Sequence, residues 1–429
     1  MAATQITRHI SIAAASAAAL LAAANSAAFA GGFEIREQSA FFSGTAYAGT
    51  AAGGSSLSSI FWNPAASSFV GQGITTDSSY TLVLPDADLH VDSATAQFAP
   101  VNRDNDVDIG RDALIPASYA AWRYNDRTVF ALSMTVPFGL TTKADNLDWS
   151  GAHLAKTSKM ATMNLSPSVS YQLTPQISVG AGLQLQYMDL KALNTSAYEA
   201  DADDFAVGGQ AGINITPFRG TSVGLGYRSR IEHDLEGKIT NINAPGLFTS
   251  GEIKADLDTP DKVTLSLRQE LTSTTRLLGT VEWTNWSVLG VVPVPLPNGA
   301  LASNLVFNWE DGWFYSIGGE YDVTPKITLR AGIAYEESPI QDATSRLIQL
   351  PDSNRVWFGL GASYAWSEKT TINVSYLHVE LEESKFNRES LVGPFGGTIT
   401  GEADVSADAI SVGLTMKADD LTDLLNFGR

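Results

Sequence analysis

Short turns and long loops alternate strictly along this chain, and few folds tolerate that regularity. From Gln72 onward the recurring unit is an alternating strand, a tight turn, a returning strand and a long loop. The tight turns are Tyr124–Arg127, Leu173–Gln176, Thr216–Gly220, Leu271–Thr274, Asp322–Pro325 and Trp366–Lys369. Thr-Pro recurs among them, where proline presets φ for the turn. The long loops fall near 85–112, 143–157, 191–204, 236–252, 289–304, 337–353 and 383–404. Short connections on one side and long ones on the other are the mark of an up-and-down antiparallel β-barrel in an outer membrane. The spacing predicts about 14 strands over residues 72–418, an even number that leaves both barrel ends on the short-turn, periplasmic side.

Alternation within the strands fits that class. Val179, Ala181, Leu183, Leu185 and Tyr187 share one face, and Ser178, Gly180, Gly182, Gln184 and Gln186 share the other. Val263, Leu265 and Leu267 oppose Thr264, Ser266 and Arg268 in the same way. The pattern is apolar toward lipid and small or polar toward the lumen. A soluble β-sandwich would alternate similarly, so strand pattern alone does not separate the two. Loop asymmetry, a leader and 9 Trp, 13 Tyr and 18 Phe for interfacial girdles favour the barrel.

The leader is residues 1–30. Arg8 and His9 precede an Ala/Leu-rich run, and Ala28-Phe29-Ala30 fits a small-x-small cleavage site. No other stretch offers the ~18 consecutive apolar residues of a transmembrane helix. The chain has no Cys, which excludes disulfides and thiol chemistry, and its net charge of −19 argues against nucleic acid as a partner. No enzymatic constellation, metal site or cofactor motif emerges. Gly220-Thr221-Ser222-Val223-Gly224 lies at a hairpin rather than a nucleophile elbow. Asp104-Asn105-Asp106 begins like a calcium loop but lacks its later ligands.

Three stretches stand out from the strand pattern. Gly31–Gly71 is rich in Gly, Ala and Ser without a sustained period of two, and it holds Phe61-Trp62-Asn63-Pro64-Ala65. Pro64 pushes Asn63 toward an extended or turn conformation, so neither helix nor central strand suits it. In "LSMTVPFGLTT" (132–142), Pro137 and Gly139 interrupt the third strand and predict a bulge or break, hence a gap in a closed wall. "VLGVVPVPLPNGAL" (288–301), with Val291, Val292, Val294 and Leu296, is apolar for an outer loop; "NAPGLF" (243–248) and "LVGPF" (391–395) are similar. Such surface marks a capture site, or loops that pack on one another over the barrel mouth.

With Asn63-Pro64-Ala65, the start "GGFEIREQSAFFSGTAYAG" and the Pro137 break, the chain resembles the FadL-type outer-membrane transporters of long-chain fatty acids and aromatic hydrocarbons. The stretches "WTNWSVL" (283–289) and "LRAGIAYEESPIQDATSRLIQLPDSNRVWFGLGASYAW" (329–366) extend the resemblance along the chain. It implies that residues 31–71 form a hatch plugging the lumen, with the Phe61-Trp62 pair packed inside. It further implies that Phe33 reaches the ligand pocket, with Phe61 and Trp62 as further candidates for contact with the solute, and that Val136, Pro137, Phe138 and Gly139 form a lateral window.

The implied activity is passive. A hydrophobic molecule is caught by outer loops, passed to a lumenal pocket and released sideways through the strand-3 kink. The expected partners are hydrophobic small molecules, fatty acids or hydrocarbons, together with outer-membrane lipid and lipopolysaccharide, and the barrel is expected to act as a monomer without a cofactor. A fatty-acid carboxylate calls for a cation. Arg268, Arg330 and Arg355 qualify by position alone, whereas residues 307–322 are acidic and aromatic with no Lys or Arg. A neutral aromatic substrate therefore stays open. So does the role of the tail, 419–429, in which Phe427 stands close to the end but not at it.

Overall fold

The computed structural model describes residues 31–420, apart from 97–98, 102, 196–197, 243–248, 296, 298–301 and 390–396. The expected leader (1–30) and most of the expected tail (421–429) lie outside the described residues, as do Leu296 and the two apolar stretches at 243–248 and 391–395.

Fourteen antiparallel strands close a barrel. They are β1 (Gly73–Ala96), β2 (Asp106–Asp108 and Ala113–Arg123), β3 (Thr128–Thr135 and Gly139–Lys143), β4 (Thr157–Thr174), β5 (Ile177–Asn194), β6 (Tyr198–Ile215) and β7 (Thr221–Arg228 and Asp234–Asn241). The second half comprises β8 (Gly251–Asp256 and Lys262–Glu270), β9 (Thr275–Thr284), β10 (Gly312–Thr324), β11 (Ile327–Glu337), β12 (Arg355–Ala365), β13 (Thr370–Leu381 and Ser384–Glu389) and β14 (Thr398–Ala418). Each strand pairs with its neighbour in sequence, and β1 pairs with β14 from Ile74↔Ala418 to Ala94↔Ile399. Closure removes every free edge, which in lipid is the condition for a sheet to span at all.

The faces follow the expected alternation. Leu183 and Leu265 are exposed on the outer wall while Gln184, Gln186, Thr264 and Ser266 are buried inside. Near the short turns Trp122, Tyr124 and Phe130 stack on one another, with centroids 5.4 to 6.2 Å apart, as part of an interfacial girdle.

Several stretches expected to be long loops are strands instead. β1 runs on through residues 85–96, and β6 and β7 continue over 198–204 and 234–241. In these segments the outward face is polar and the apolar residues turn inward, with Ala87, Leu89, Val91, Leu235 and Ile239 buried, so the apolar-out pattern of a wall strand is lost although the ladder continues. Pro85 falls between the Val83↔Ala113 and Asp88↔Asp108 pairs, where β1 has no β2 partner and the missing N–H costs no ladder bond on that side.

Residues 31–69 fill the lumen, almost all of them buried. The segment holds one helical turn (Ala40–Ser43) and two 3₁₀ turns (Leu57–Phe61 and Pro64–Phe69). Asn63 caps the second, with its side chain accepting from the Ala65 N–H and Pro64 in the first turn, where its lost donor is harmless. The wall meets this plug through glycines. A Cβ on Gly226 would come within 1.8 Å of the Trp62 carbonyl oxygen, and one on Gly332 within 2.0 Å of that of Thr45.

Candidate functional site

Strand β3 is broken, and the break sets up the site. Pairing between β2 and β3 ends at Ser118↔Met134, and the upper piece of β3 pairs with β4 only from Gly139↔Ala161 onward. Residues 136–138 are left out of both ladders, because Pro137 has no N–H and its ring crowds the preceding residue. On the outer wall a pocket of about 120 Å³ opens here, lined by Met134, Thr135, Val136, Ala161 and Thr162 among others.

The chain's own N-terminal segment takes up the backbone that the break frees. The Ile35 N–H donates to the Pro137 carbonyl (2.8 Å) and the Gly139 N–H to that of Phe33 (2.9 Å), so that Glu34 faces Phe138 as an isolated bridge. Gln38 Nε2 donates to the Val136 carbonyl at 2.6 Å, and Thr162 Oγ1 accepts from the Phe138 N–H at 2.9 Å. Residues 33–38 thus act as a short substitute strand on the lumenal side of the gap.

This pairing carries Phe33 into an apolar chamber. Its ring lies 4.9 Å from Trp286, 5.7 Å from Trp309 and 5.9 Å from Phe138, centroid to centroid. The same buried cluster includes Met160, Met188, Leu257, Leu289, Val292 and Phe307. Gly32 makes the approach possible: its φ is +63°, and a Cβ there would stand 2.8 Å from Trp309 and 3.0 Å from Trp286. The hairpin Val291–Pro295 with Ala302–Val306 caps the chamber as a separate two-stranded sheet. Val291 points outward and is half exposed, Val292 is buried in the chamber, and Val294 is partly buried.

A layer of buried charge anchors the segment that bears Phe33. Arg36 binds Glu282 at 2.8 Å and Glu336 at 3.0 Å, and Lys262 contacts Glu34 and, at 2.8 Å, Glu282. The Gly31 and Gly32 N–H groups donate to Glu336 and Asp352, each at 3.1 Å. Such pairs add little net stability, yet removing one partner strands the other, so they fix position strongly. Burial also lifts the Glu37 carboxyl, in the same segment, to about 7.

The residues singled out in the sequence fall into separate places. Phe33 joins Phe138 and Val292 in the chamber, and Val136, Pro137 and Gly139 flank it at the break. Phe61 and Trp62 lie in the plug's own core, 4.9 Å apart, with the Arg228 guanidinium 4.3 Å over the Phe61 ring. Asn63, Pro64 and Ala65 are buried beside them. Arg355 is held by Asp352 and Glu336 in the charged layer. Arg330 lies at the other end of the lumen, 3.7 Å over the Phe41 ring. Ser222 donates to the Ala52 carbonyl at 2.6 Å and so helps dock the plug. Trp286, Trp309 and Phe307 were not read from the sequence as pocket residues. Their signal was available: aromatics flanking the apolar run 288–301 on both sides.

A closed barrel with a plug in its lumen, a broken wall strand and an apolar chamber over the break define a hatch-plugged outer-membrane transport protein. A family model described as outer membrane protein transport protein (OMPP1/FadL/TodX) matches residues 21–418, and the chain belongs to that family. It is 25% identical over 412 residues to the 47 kDa outer membrane protein of Pasteurella multocida (strain Pm70), covering 88% of this chain and 93% of the relative. It is 23% identical over 417 residues to the long-chain fatty acid transport protein of Escherichia coli (strain K12), covering 85% and 92%. Among solved structures, a Pseudomonas aeruginosa FadL homologue superposes with a TM-score of 0.83 at 22% identity, covering 90% of this chain and 99% of that one. The P. putida toluene transporter TodX gives 0.64 at 16%, covering 88% and 98%. Relatives named as outer membrane proteins and the barrel itself place this protein in the outer membrane.

Proposed function

We propose that the protein moves hydrophobic compounds, foremost long-chain fatty acids, inward across the outer membrane by diffusion, with no catalytic step. One observation carries this reading: the capture hairpin, the Phe33 chamber and the strand-3 break share one continuous apolar cluster through Val292, Phe33 and Phe138. A solute held by such a cluster gains ~25 cal/mol per Å² of apolar surface buried, which a water-filled pore would not provide. Solute entering the chamber displaces Phe33. Because Phe33 sits on the segment that bridges the break, its displacement loosens the Ile35–Pro137 and Gly139–Phe33 hydrogen bonds and opens the lateral path into the membrane.

In this reading the hatch spans residues 31–71 and the barrel works as a monomer among membrane lipid and lipopolysaccharide. The relative in E. coli is named for long-chain fatty acid transport, which favours that substrate class. A neutral aromatic hydrocarbon is the second reading. It is favoured by the aromatic rings of Phe138, Trp286 and Trp309 that meet Phe33 in the chamber, and by the fold shared with a toluene transporter.

Uptake of radiolabelled oleate and of toluene tests both readings, in cells lacking their own transporter and carrying either this protein or a Pro137→Val, Gly139→Thr variant. The wild type should take up one of the solutes, and the variant, shown to be folded and inserted, should lose most of that uptake. Normal transport by the variant would reject lateral release at β3. Passage of small sugars but of neither solute would make the protein a porin.

A further inference from the structure

At the periplasmic end of the lumen, behind the plug, lies a second chamber of about 400 Å³. Its chemistry is the reverse of the first. Arg268, Arg276, Lys326, Arg330 and Lys417 line it against a single lining carboxylate, Glu320, in a chain whose overall charge is −19. Arg276 is neutralised by Glu320 and Asp322, and Arg268 reaches Glu270 at 3.2 Å.

Arg330 is different. It is 3% exposed and has no ion pair among the described residues. Its Nη2 donates to Ser363 and, at 3.3 Å, to Asn373, the Phe41 ring covers one face of the guanidinium at 3.7 Å, and the buried Nε and Nη1 have no hydrogen-bond partner. A buried guanidinium with open donors is costly unless an anion completes it. Lys326 and Lys417 stand at the mouth beside the short turns and would attract that anion.

The plug's side of the chamber adds apolar surface from Leu57, Phe69 and Val70 beside Ser55 and Ser56, Phe69 is 40% exposed, and Phe41 stacks directly on Arg330. A cationic floor beside apolar plug surface suits a molecule with one charged end and a short apolar body.

We propose that this chamber binds a carboxylate-bearing amphiphile entering from the periplasmic side, with Arg330 as the anchor of the carboxylate. The site is separate from the Phe33 chamber, and the proposal stands whichever solute that chamber carries. The absence of Cys allows a direct local test. An environment-sensitive fluorophore is placed on an Ala365→Cys variant of the full barrel in detergent. Ala365 lines the chamber and carries no charge. The label is titrated with octanoate, octanol and inorganic phosphate.

Octanoate should shift the emission saturably and octanol should not. Arg330→Gln should weaken octanoate by about tenfold or more, as loss of a charge-assisted contact requires, and Arg330→Lys should restore part of it. If Arg330→Gln fails to give a heat-modifiable folded barrel, Lys326→Gln with Lys417→Gln, both exposed, should still weaken binding several-fold. No response to octanoate, or an equal response to octanol, would overturn the proposal. A phosphate response matching octanoate would overturn the amphiphile assignment, leaving a site for any oxyanion.

Discussion

Asn63 buries a side-chain amide at the seam between plug and wall. Its Nδ2 lies 2.8 Å from the Ala51 carbonyl, 3.1 Å from that of Ile213 and 2.8 Å from Asn214 Oδ1, and its Oδ1 accepts from the Ala65 N–H at 3.0 Å. Alanine here strands several buried groups at about 1–3 kcal/mol each, a cost borne by the plug's seat rather than by the wall. Asn63→Ala should therefore leave the barrel folded and raise its leak conductance in planar bilayers; an unchanged leak would count against Asn63 as the latch. Glu37 makes a pH prediction at the same scale. Its carboxyl is lifted from 4.5 to about 7 by burial, so the seated plug favours the protonated form. The stability of the seat should fall as pH rises from 4.5 through 7 and level off above. Leak conductance should rise over that window in the wild type and lose the dependence in Glu37→Gln.

Elements meet here mainly through small residues. Gly226→Val and Gly332→Val each drive a side chain into plug backbone, since even a Cβ falls within about 2 Å of a carbonyl oxygen. Gly279 is the control, because a Cβ there meets nothing nearer than 3.8 Å. The two valine variants should sensitise cells to a large hydrophilic antibiotic while Gly279→Ala does not, and equal sensitivity in all three would separate leak from plug displacement. The lumenal glycines were legible in the sequence as the small face of β5 and its neighbours, and the Pro137 break was legible from proline's missing donor. What pairs with the break was not. Residues 33–38 and 136–139 are about a hundred positions apart, and neither carries a strand-like period to announce its partner. The charged layer was equally hidden, because Glu34, Arg36, Lys262, Glu282 and Glu336 come from distant elements and each alone reads as an ordinary surface charge. The outer ends of β1, β6 and β7 read as loops for a third reason: above the apolar belt the ladder persists while the outward face turns polar and the apolar residues turn inward.

At the scale of the whole molecule, wall and plug divide the work. Apart from the β3 break, which residues 33–38 bridge, the wall's backbone is satisfied by its own ladders, closed by the β1–β14 pairing from Ile74 to Ala94, a ladder to which residues 31–69 add no rung. Removing the plug would expose Lys262, Glu282, Glu336 and Arg355 to a water-filled lumen, where solvation offsets the partners they lose. Much of the rest of the inner face is Ser, Thr, Gly and Gln, while Tyr119, Phe314, Trp357 and Leu377 are buried in one cluster with the plug, so its loss exposes some apolar surface inside a wall whose ladders stay intact. A variant lacking residues 33–70 should therefore insert, run as a heat-modifiable barrel and conduct ions as a wide open pore. It should also lose saturable uptake of hydrophobic solute, since the Phe33 chamber and the substitute strand at the β3 break go with the plug. Failure to insert would mean that the wall needs the plug in order to close. Saturable uptake by the open barrel would show that the outer hairpin and Trp286, without the plug, are enough to select the solute.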